Sequence, residues 1–179
     1  MPAKSAAARH LPKAEPAFLA DAMLGSVARK LRIFGFDTAY MAHTTDDEVL
    51  KLGVEQDRII LTADKEFFKR LVSRNVKGVL VKGSDDFDDL LHIFAKMRIK
   101  SIGVTIGSRC AACNGRLASK KPSEVAGLMP TAVVARHGNF YQCASCAKVY
   151  WDGSHLQSLR ALAERLERNL ADNIATSKG

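Results

Sequence analysis

No apolar run in the sequence approaches the roughly 20 residues needed to cross a bilayer, so a helical membrane span is excluded. Residues 1–15 mix Ala, Lys, Arg and Pro and lack the apolar centre of a secretory signal. They read as a disordered tail, and a cytoplasmic location with no membrane partner is expected. There is no Gly-rich phosphate loop, and no nucleophilic Ser or Cys with a neighbouring His is evident, which removes the usual signatures of P-loop and covalent hydrolase chemistry. Aromatic residues are only 7% of the chain, yet 47% is hydrophobic and 26% charged, a composition of globular rather than disordered protein. Cysteine is scarce, and its four copies fall in two pairs.

The 179 residues suffice for one sizeable core and a small appendage. Net charge is +8, and the excess per residue is larger after residue 107. A basic surface attracts polyanions and fits a nucleic-acid partner, although a merely soluble basic protein would show the same balance.

Residues 16–105 alternate strand and helix. Pro16 to Ala20 is an apolar strand; Ala22 to Phe34 carries Leu24, Val27, Ala28, Leu31 and Phe34 at helical spacing and ends at Gly35. Thr38 to Met41 is a short strand. Thr45 and Glu48 form a capping box for the next helix. Arg58 to Thr62 is a β-branched strand, Asp64 opens a helix, Val79 to Val81 is a further strand, and Asp85 to Arg98 is a helix with acids first and bases last. Four such units predict an α/β fold with a mostly parallel sheet covered by helices. From about residue 106 to 155 helical periodicity fades and Pro, Gly, Ser, Cys and Asn rise. A final amphipathic helix from Leu156 and its tail occupy residues 156–179.

Cys110-Ala-Ala-Cys113 and Cys143-Ala-Ser-Cys146 are two C-x-x-C knuckles, each turning two thiolates toward one point. Together they predict a tetrahedral Cys₄ structural Zn²⁺ site in a small ribbon. Two disulfides are the alternative, disfavoured in the reducing compartment expected here. The 29 residues between the knuckles are expected to form a long β-hairpin, with Ala132–Ala135 and Asn139–Gln142 as its arms around His137-Gly138. His137 and His155 could each replace a ligand, but four thiols need neither. Arg109, Arg116, Lys120, Lys121, Arg136 and Lys148 give the ribbon the charge to touch nucleic acid, and Arg29, Lys30 and Arg32 on the first helix could contact phosphates; solvated surface charge is the competing reading for each.

Asp21, Asp46 with Asp47, and Asp64 lie where successive strands deliver their carboxyl ends or the next helix begins. Each alone could be a helix cap. Parallel strands lie about 5 Å apart, so such acids can converge, and a convergent set of oxygen ligands selects Mg²⁺ or Mn²⁺. That ion activates water and neutralises the charge of an in-line phosphodiester displacement. Asp85 or Asp86 is a further candidate.

The order of these stretches resembles the Mut-seven carboxy-terminal RNase family. The matching runs are Phe18-Leu-Ala-Asp21-Ala-Met-Leu-Gly25, Ala28-Arg29-Lys-Leu31-Arg32, Arg58-Ile-Ile-Leu-Thr62-Ala-Asp64, Arg109-Cys110-Ala-Ala-Cys113-Asn114 and Cys143-Ala-Ser-Cys146-Ala-Lys-Val-Tyr150-Trp151-Asp-Gly153-Ser-His155. The resemblance implies a PIN-like three-layer α/β/α domain followed by a zinc ribbon. It further implies a Mg²⁺- or Mn²⁺-dependent ribonuclease centre with catalytic Asp21, Asp46 or Asp47, and Asp64, of which Asp21 and Asp64 hold the ion. RNA is the implied partner. The chain departs from the family pattern at Lys30, where members often carry an aromatic, and at Ala63, where they carry Arg. A non-catalytic RNA- or RNP-binding protein and the toxin of a toxin–antitoxin pair are the competing functions.

Overall fold

A computed structural model of the protein describes residues 15–83, 85–102 and 106–176. The expected N-terminal tail therefore lies, apart from Glu15, outside the described residues. Four strands, β1 (Phe18–Ala20), β2 (Thr38–Tyr40), β3 (Ile59–Thr62) and β4 (Gly78–Leu80), form a parallel sheet in the order β2-β1-β3-β4. The first crossover passes to one side of β1, and the next returns to the other. The chain thus reverses its direction of winding between β1 and β3, the place where open α/β sheets leave a crevice at the strands' carboxyl ends.

Alternation along the strands builds a core on each face of the sheet. Phe18, Ala20 and Leu61 pack on one side with α1 (Gly25–Ile33), α4 (Asp86–Met97) and α7 (Ser154–Thr176). Leu19 and Ile60 pack on the other with α2 (Asp46–Glu55) and α3 (Lys65–Ser73). Phe18, Phe34, Phe36 and Phe94 stack edge-on or tilted in the larger core. Three layers result, as expected. The first helix is divided: Ala22–Leu24 is a single 3₁₀ turn capped by Asp21, and the α-helix starts at Gly25. α7 begins at Ser154 and returns to the larger core, burying Ala163, Leu166 and Leu170 beside α4.

Between α4 and α7 lies a second, antiparallel sheet of β5 (Leu117–Lys120), β6 (Phe140–Cys143) and β7 (Val149–Trp151). The expected long hairpin is not formed. Ala132–Ala135 sit in α6 (Thr131–Arg136), and the pairing partner of β6 on that side is β5. The β-branched pair Val133-Val134 suggested a strand, but Pro130 precedes it with φ −56° and its carbonyl accepts from both valine N–H groups, which starts a helix instead. α5 (Pro122–Val125) fills the rest of the excursion.

The two sheets are joined by a polar clamp centred on Asp37. Its Oδ1 accepts from Arg58 at 2.7 Å and from Asn114 at 2.9 Å; its Oδ2 accepts from Arg109 at 3.0 Å. Asn114 in turn accepts from the Thr38 backbone N–H, and Arg109 also reaches the Gly35 carbonyl. Arg32 spans the same junction, donating to the carbonyls of Thr38, Ala111 and Ala112. Arg32, a candidate phosphate contact by sequence, is buried at 7% exposure, with Nε and Nη1 donating to these three carbonyls. Partial burial disfavours the Asp37 carboxylate, but the donors of Arg58 and Asn114 and the charge of Arg109 outweigh it and hold its pKa below the usual value. The contribution of Asp37 is thus fully present above the ordinary carboxylate range, about pH 4, and is lost as pH falls below it. The wild type should unfold at higher temperature than Asp37→Asn at neutral pH, and melting curves recorded toward pH 3 should converge.

Candidate active site and metal centre

Asp21 and Asp64 both lie at the reversal point because β1 and β3 pair in register, Ala20 opposite Leu61, and the chain leaves both strands there. Thr62, the last residue of β3, lies between them. Its hydroxyl donates a short hydrogen bond to Asp21 Oδ2 and accepts from the Asp64 backbone N–H at 3.0 Å. Asp21 Oδ1 also caps the 3₁₀ turn, accepting from Met23 N at 3.1 Å. Asp64 caps α3 through Oδ1, which accepts from Glu66 N at 2.7 Å and Phe67 N at 2.9 Å. Both acids are caps, as the simpler reading held, but neither is used up by capping. Burial is the main cause that raises the pKa of Asp21; the Thr62 and Met23 hydrogen bonds oppose it, and the charges of Asp46 and Asp64 add to the rise. A negative field thus converges on a half-buried carboxylate, a setting that a cation relieves.

Asp46 and Asp47 stand in the first turn of α2, capped by the Thr45–Glu48 box as the sequence indicates. Arg70 of α3 engages both, Asp46 at 3.0 Å and Asp47 more closely. Among the described residues, the four thiols form a group whose ligand atoms all lie within 4.8 Å of one another, whereas the aspartates form no group of three that close. Asp85 caps α4, and Asp86 is ion-paired to Lys30 and hydrogen-bonded to Ser26. Lys30 therefore has a carboxylate partner of its own. Asp89, buried, accepts from the backbone N–H groups of Lys82 and Gly83 and holds that turn. Thr62 and Arg70 were not singled out in the sequence. Thr62 could have been, as the hydroxyl two residues before Asp64; Arg70 carries no local signal, because its partners come from another helix.

The four cysteines are free thiols. Cys113 and Cys143 Sγ are 3.4 Å apart, and Cys110 and Cys146 Sγ 3.6 Å. A tetrahedron with Zn–S bonds near 2.3 Å has edges of about 3.8 Å, so the cluster is close to the size that one zinc ion requires. Each knuckle closes in the same way: Asn114 and Ala147 take φ of 71° and 58°, and their N–H groups return to the carbonyls of Cys110 and Cys143. Burial opposes a thiolate at Cys110, yet hydrogen bonds from Tyr150 and from the backbone of Cys113 and Ala112 lower its pKa to about 6. At Cys113 the Gly115 N–H favours the thiolate, but the neighbouring sulfurs of Cys146 and Cys143 outweigh it and push its pKa up to about 12. Four thiols this close cannot all ionise without a cation among them. The cluster can hold a zinc ion.

Of the candidate RNA contacts, Lys120 is ion-paired to Glu124 at 3.0 Å, while Arg29, Lys121 and Arg136 are exposed. Gly115 is the tightest point of the thiol cluster. A Cβ there would stand 2.8 Å from Cys143 Sγ and 2.5 Å from Ser145 Oγ. Gly115→Ala should therefore lower Zn²⁺ affinity by at least about tenfold, roughly 1.4 kcal/mol, as read by competition with a chromogenic chelator.

The family model described as the Mut7-C RNAse domain matches residues 16–163. No curated protein and no solved structure matches the chain. The matched span starts two residues before β1 and runs through the acids and both knuckles into α7; the chain belongs to the Mut7-C RNAse domain family.

Proposed function

We propose that the protein is a Mg²⁺- or Mn²⁺-dependent ribonuclease with a PIN-like fold that hydrolyses RNA phosphodiester bonds at the β1–β3 crevice. The observation that carries this reading is the juxtaposition of Asp21 and Asp64 through Thr62 at the reversal point of the sheet. Asp21 and Asp64 are the residues that would hold the ion, and the chemistry it supplies when bound is activation of water and neutralisation of charge on the phosphate. Thr62 fixes the rotamer of Asp21 by donating to Oδ2. Asp64 is anchored through Oδ1, and the cap does not use Oδ2. Asp46 or Asp47 completes the acidic set by orienting the water, a role that requires exchange of the Arg70 ion pair.

The ribbon's part is structural zinc, bound by Cys110, Cys113, Cys143 and Cys146, and a basic surface for RNA including Lys121 and Arg136. Four thiolates fill the tetrahedron and leave no open position for chemistry. A reducing, cytoplasmic setting suits the free thiols. Protein purified without chelator should carry one equivalent of zinc per chain by elemental analysis. Less than half an equivalent, with disulfides found by mass spectrometry, would sink this assignment.

Asp21→Asn keeps the shape and the cap while removing the charge. Cleavage of RNA with Mn²⁺ should fall by at least about 10²-fold, on the order of 3 kcal/mol of transition-state stabilisation. In the metal-free protein the raised pKa of Asp21 means that its ionised form costs stability, and this cost grows as pH rises through that pKa. Asp21→Asn should therefore melt at the same or higher temperature than the wild type at neutral pH. Equal cleavage by both proteins would reduce Asp21 to a cap. A wild type that binds RNA but cleaves none would favour the non-catalytic RNA-binding reading.

A further inference from the structure

A cleft of about 700 Å³ opens between the two sheets, on the α1 side of the larger core. Its walls come from α1, the end of β2, the first knuckle, β6, β7 and the start of α7. Among the described residues no Asp or Glu lines it, whereas Arg29, Lys148 and His155 do, with Arg32 and Arg109. Arg32 donates from Nε and Nη1 to carbonyls, and Arg109 donates to carbonyls and to Asp37, so their main contribution to the cleft is charge. Arg29 and Lys148 are exposed, and among the described residues no carboxylate pairs with either. Arg29 already acts unfavourably on Arg32 through like charge, so an anion bound there relieves repulsion.

The remaining wall is aromatic. Tyr40, Tyr141 and Trp151 line the cleft, and Trp151 is 36% exposed, the largest aromatic side chain left open among the exposed hydrophobics. Gly153 makes room for it: a Cβ there would stand 3.0 Å from Trp151 Nε1. His137 lies against the same ring, with centroids 6.2 Å apart. Tyr40 brings one wall of the cleft near the acidic site: its hydroxyl donates to the Ala22 carbonyl, next in chain to Asp21. Anion-seeking side chains without partners, beside flat aromatic faces and with no acid in the lining, match phosphates and unpaired bases together. An acidic peptide would use the charges but would leave the aromatic wall without a role. A duplex keeps its bases stacked inside and cannot offer them to Trp151.

We propose that this cleft seats unpaired nucleotides of single-stranded RNA, a base against Trp151 and phosphates against Arg29 and Lys148, alongside the cleavage site. This rests on the RNA reading given above, but it concerns binding and can fail or stand separately from cleavage. Trp151 is the sole tryptophan of the chain, so its emission reports the cleft directly. The test titrates the zinc-loaded full chain with a short single-stranded oligoadenylate, with Mg²⁺ and Mn²⁺ omitted so that no cleavage runs. Saturable quenching is expected, with much weaker quenching by the same sequence in a duplex. With a fluorescein-labelled oligoadenylate, Trp151→Ala should bind at least about fivefold more weakly, the lower end of one base stack, and Trp151→Phe should recover most of that loss. Lys148→Ala and Arg29→Ala should each reduce the slope of log affinity against log salt by about one. Circular dichroism and zinc content of each variant separate a local loss from a folding defect. Unchanged RNA affinity in folded Trp151→Ala and Arg29→Ala would overturn the proposal. Quenching by polyglutamate equal to that by RNA would also overturn it, assigning the cleft to an acidic protein. Cleavage lost in Asp21→Asn with cleft binding intact would leave both readings standing. Binding here by a wild type that cleaves no RNA would remove only the nuclease assignment.

Discussion

The parallel pairing of β1 with β3 is the constraint on which the acidic end of the molecule depends. Two strands of three and four residues are short, and their register is held by burial on both faces: a slip of one residue would exchange Phe18 and Ala20 for Leu19 between two cores of different shape. That register puts Asp21 and Thr62 side by side. The Asp21 N–H is itself tied to the Leu61 carbonyl at 3.1 Å, so the last rung of the sheet is also the base of the site. The carboxylate that the sheet delivers is half-buried, so its charge is costly there and a cation is favoured.

The second dependency is electrostatic and runs across the junction of the two sheets. Asp37 takes one acidic group and distributes it over three donors, two from the loop and turn of the first knuckle and one from the residue before β3. The sulfur cluster is thereby tied to the sheet through Asn114, whose side chain touches the clamp while its backbone closes the knuckle. A shift of the Cys110–Cys113 turn would be felt, through Asn114, at the edge of β2. The aromatic cleft lies over this same junction, so its shape is a property of both halves.

Much of the fold was legible because the front half is built from local signals. Capping residues at Thr45, Asp64 and Asp85, the β-branched strand before Thr62 and the apolar spacing of α1 all agree with the final structure. The sulfur cluster was legible for the same reason, since two ligands of each knuckle are three residues apart in sequence. What was not legible depends on partners far along the chain. Arg32 and Lys30 look like solvated helix charges until Ala111, Ala112 and Asp86 are placed against them. Arg70 shows its relation to Asp46 and Asp47 only once α2 and α3 lie side by side. The α5–α6 excursion was misread because Val133 and Val134 favour a strand by propensity, while Pro130 sets the local backbone that decides.

The position of α7 has a consequence for the order of events at the ribosome. The larger core needs Ala163, Leu166 and Leu170 to cover α4, and Glu167 to accept from the Ile102 N–H. These residues emerge only after both cysteine knuckles have been translated. During synthesis, therefore, α4 waits with an apolar face exposed while the cysteine module is made, and α7 closes over the core afterwards. A nascent chain that stalls between the second knuckle and α7 would be caught with that face open, so completion of this helix sets the solubility of the half-made protein.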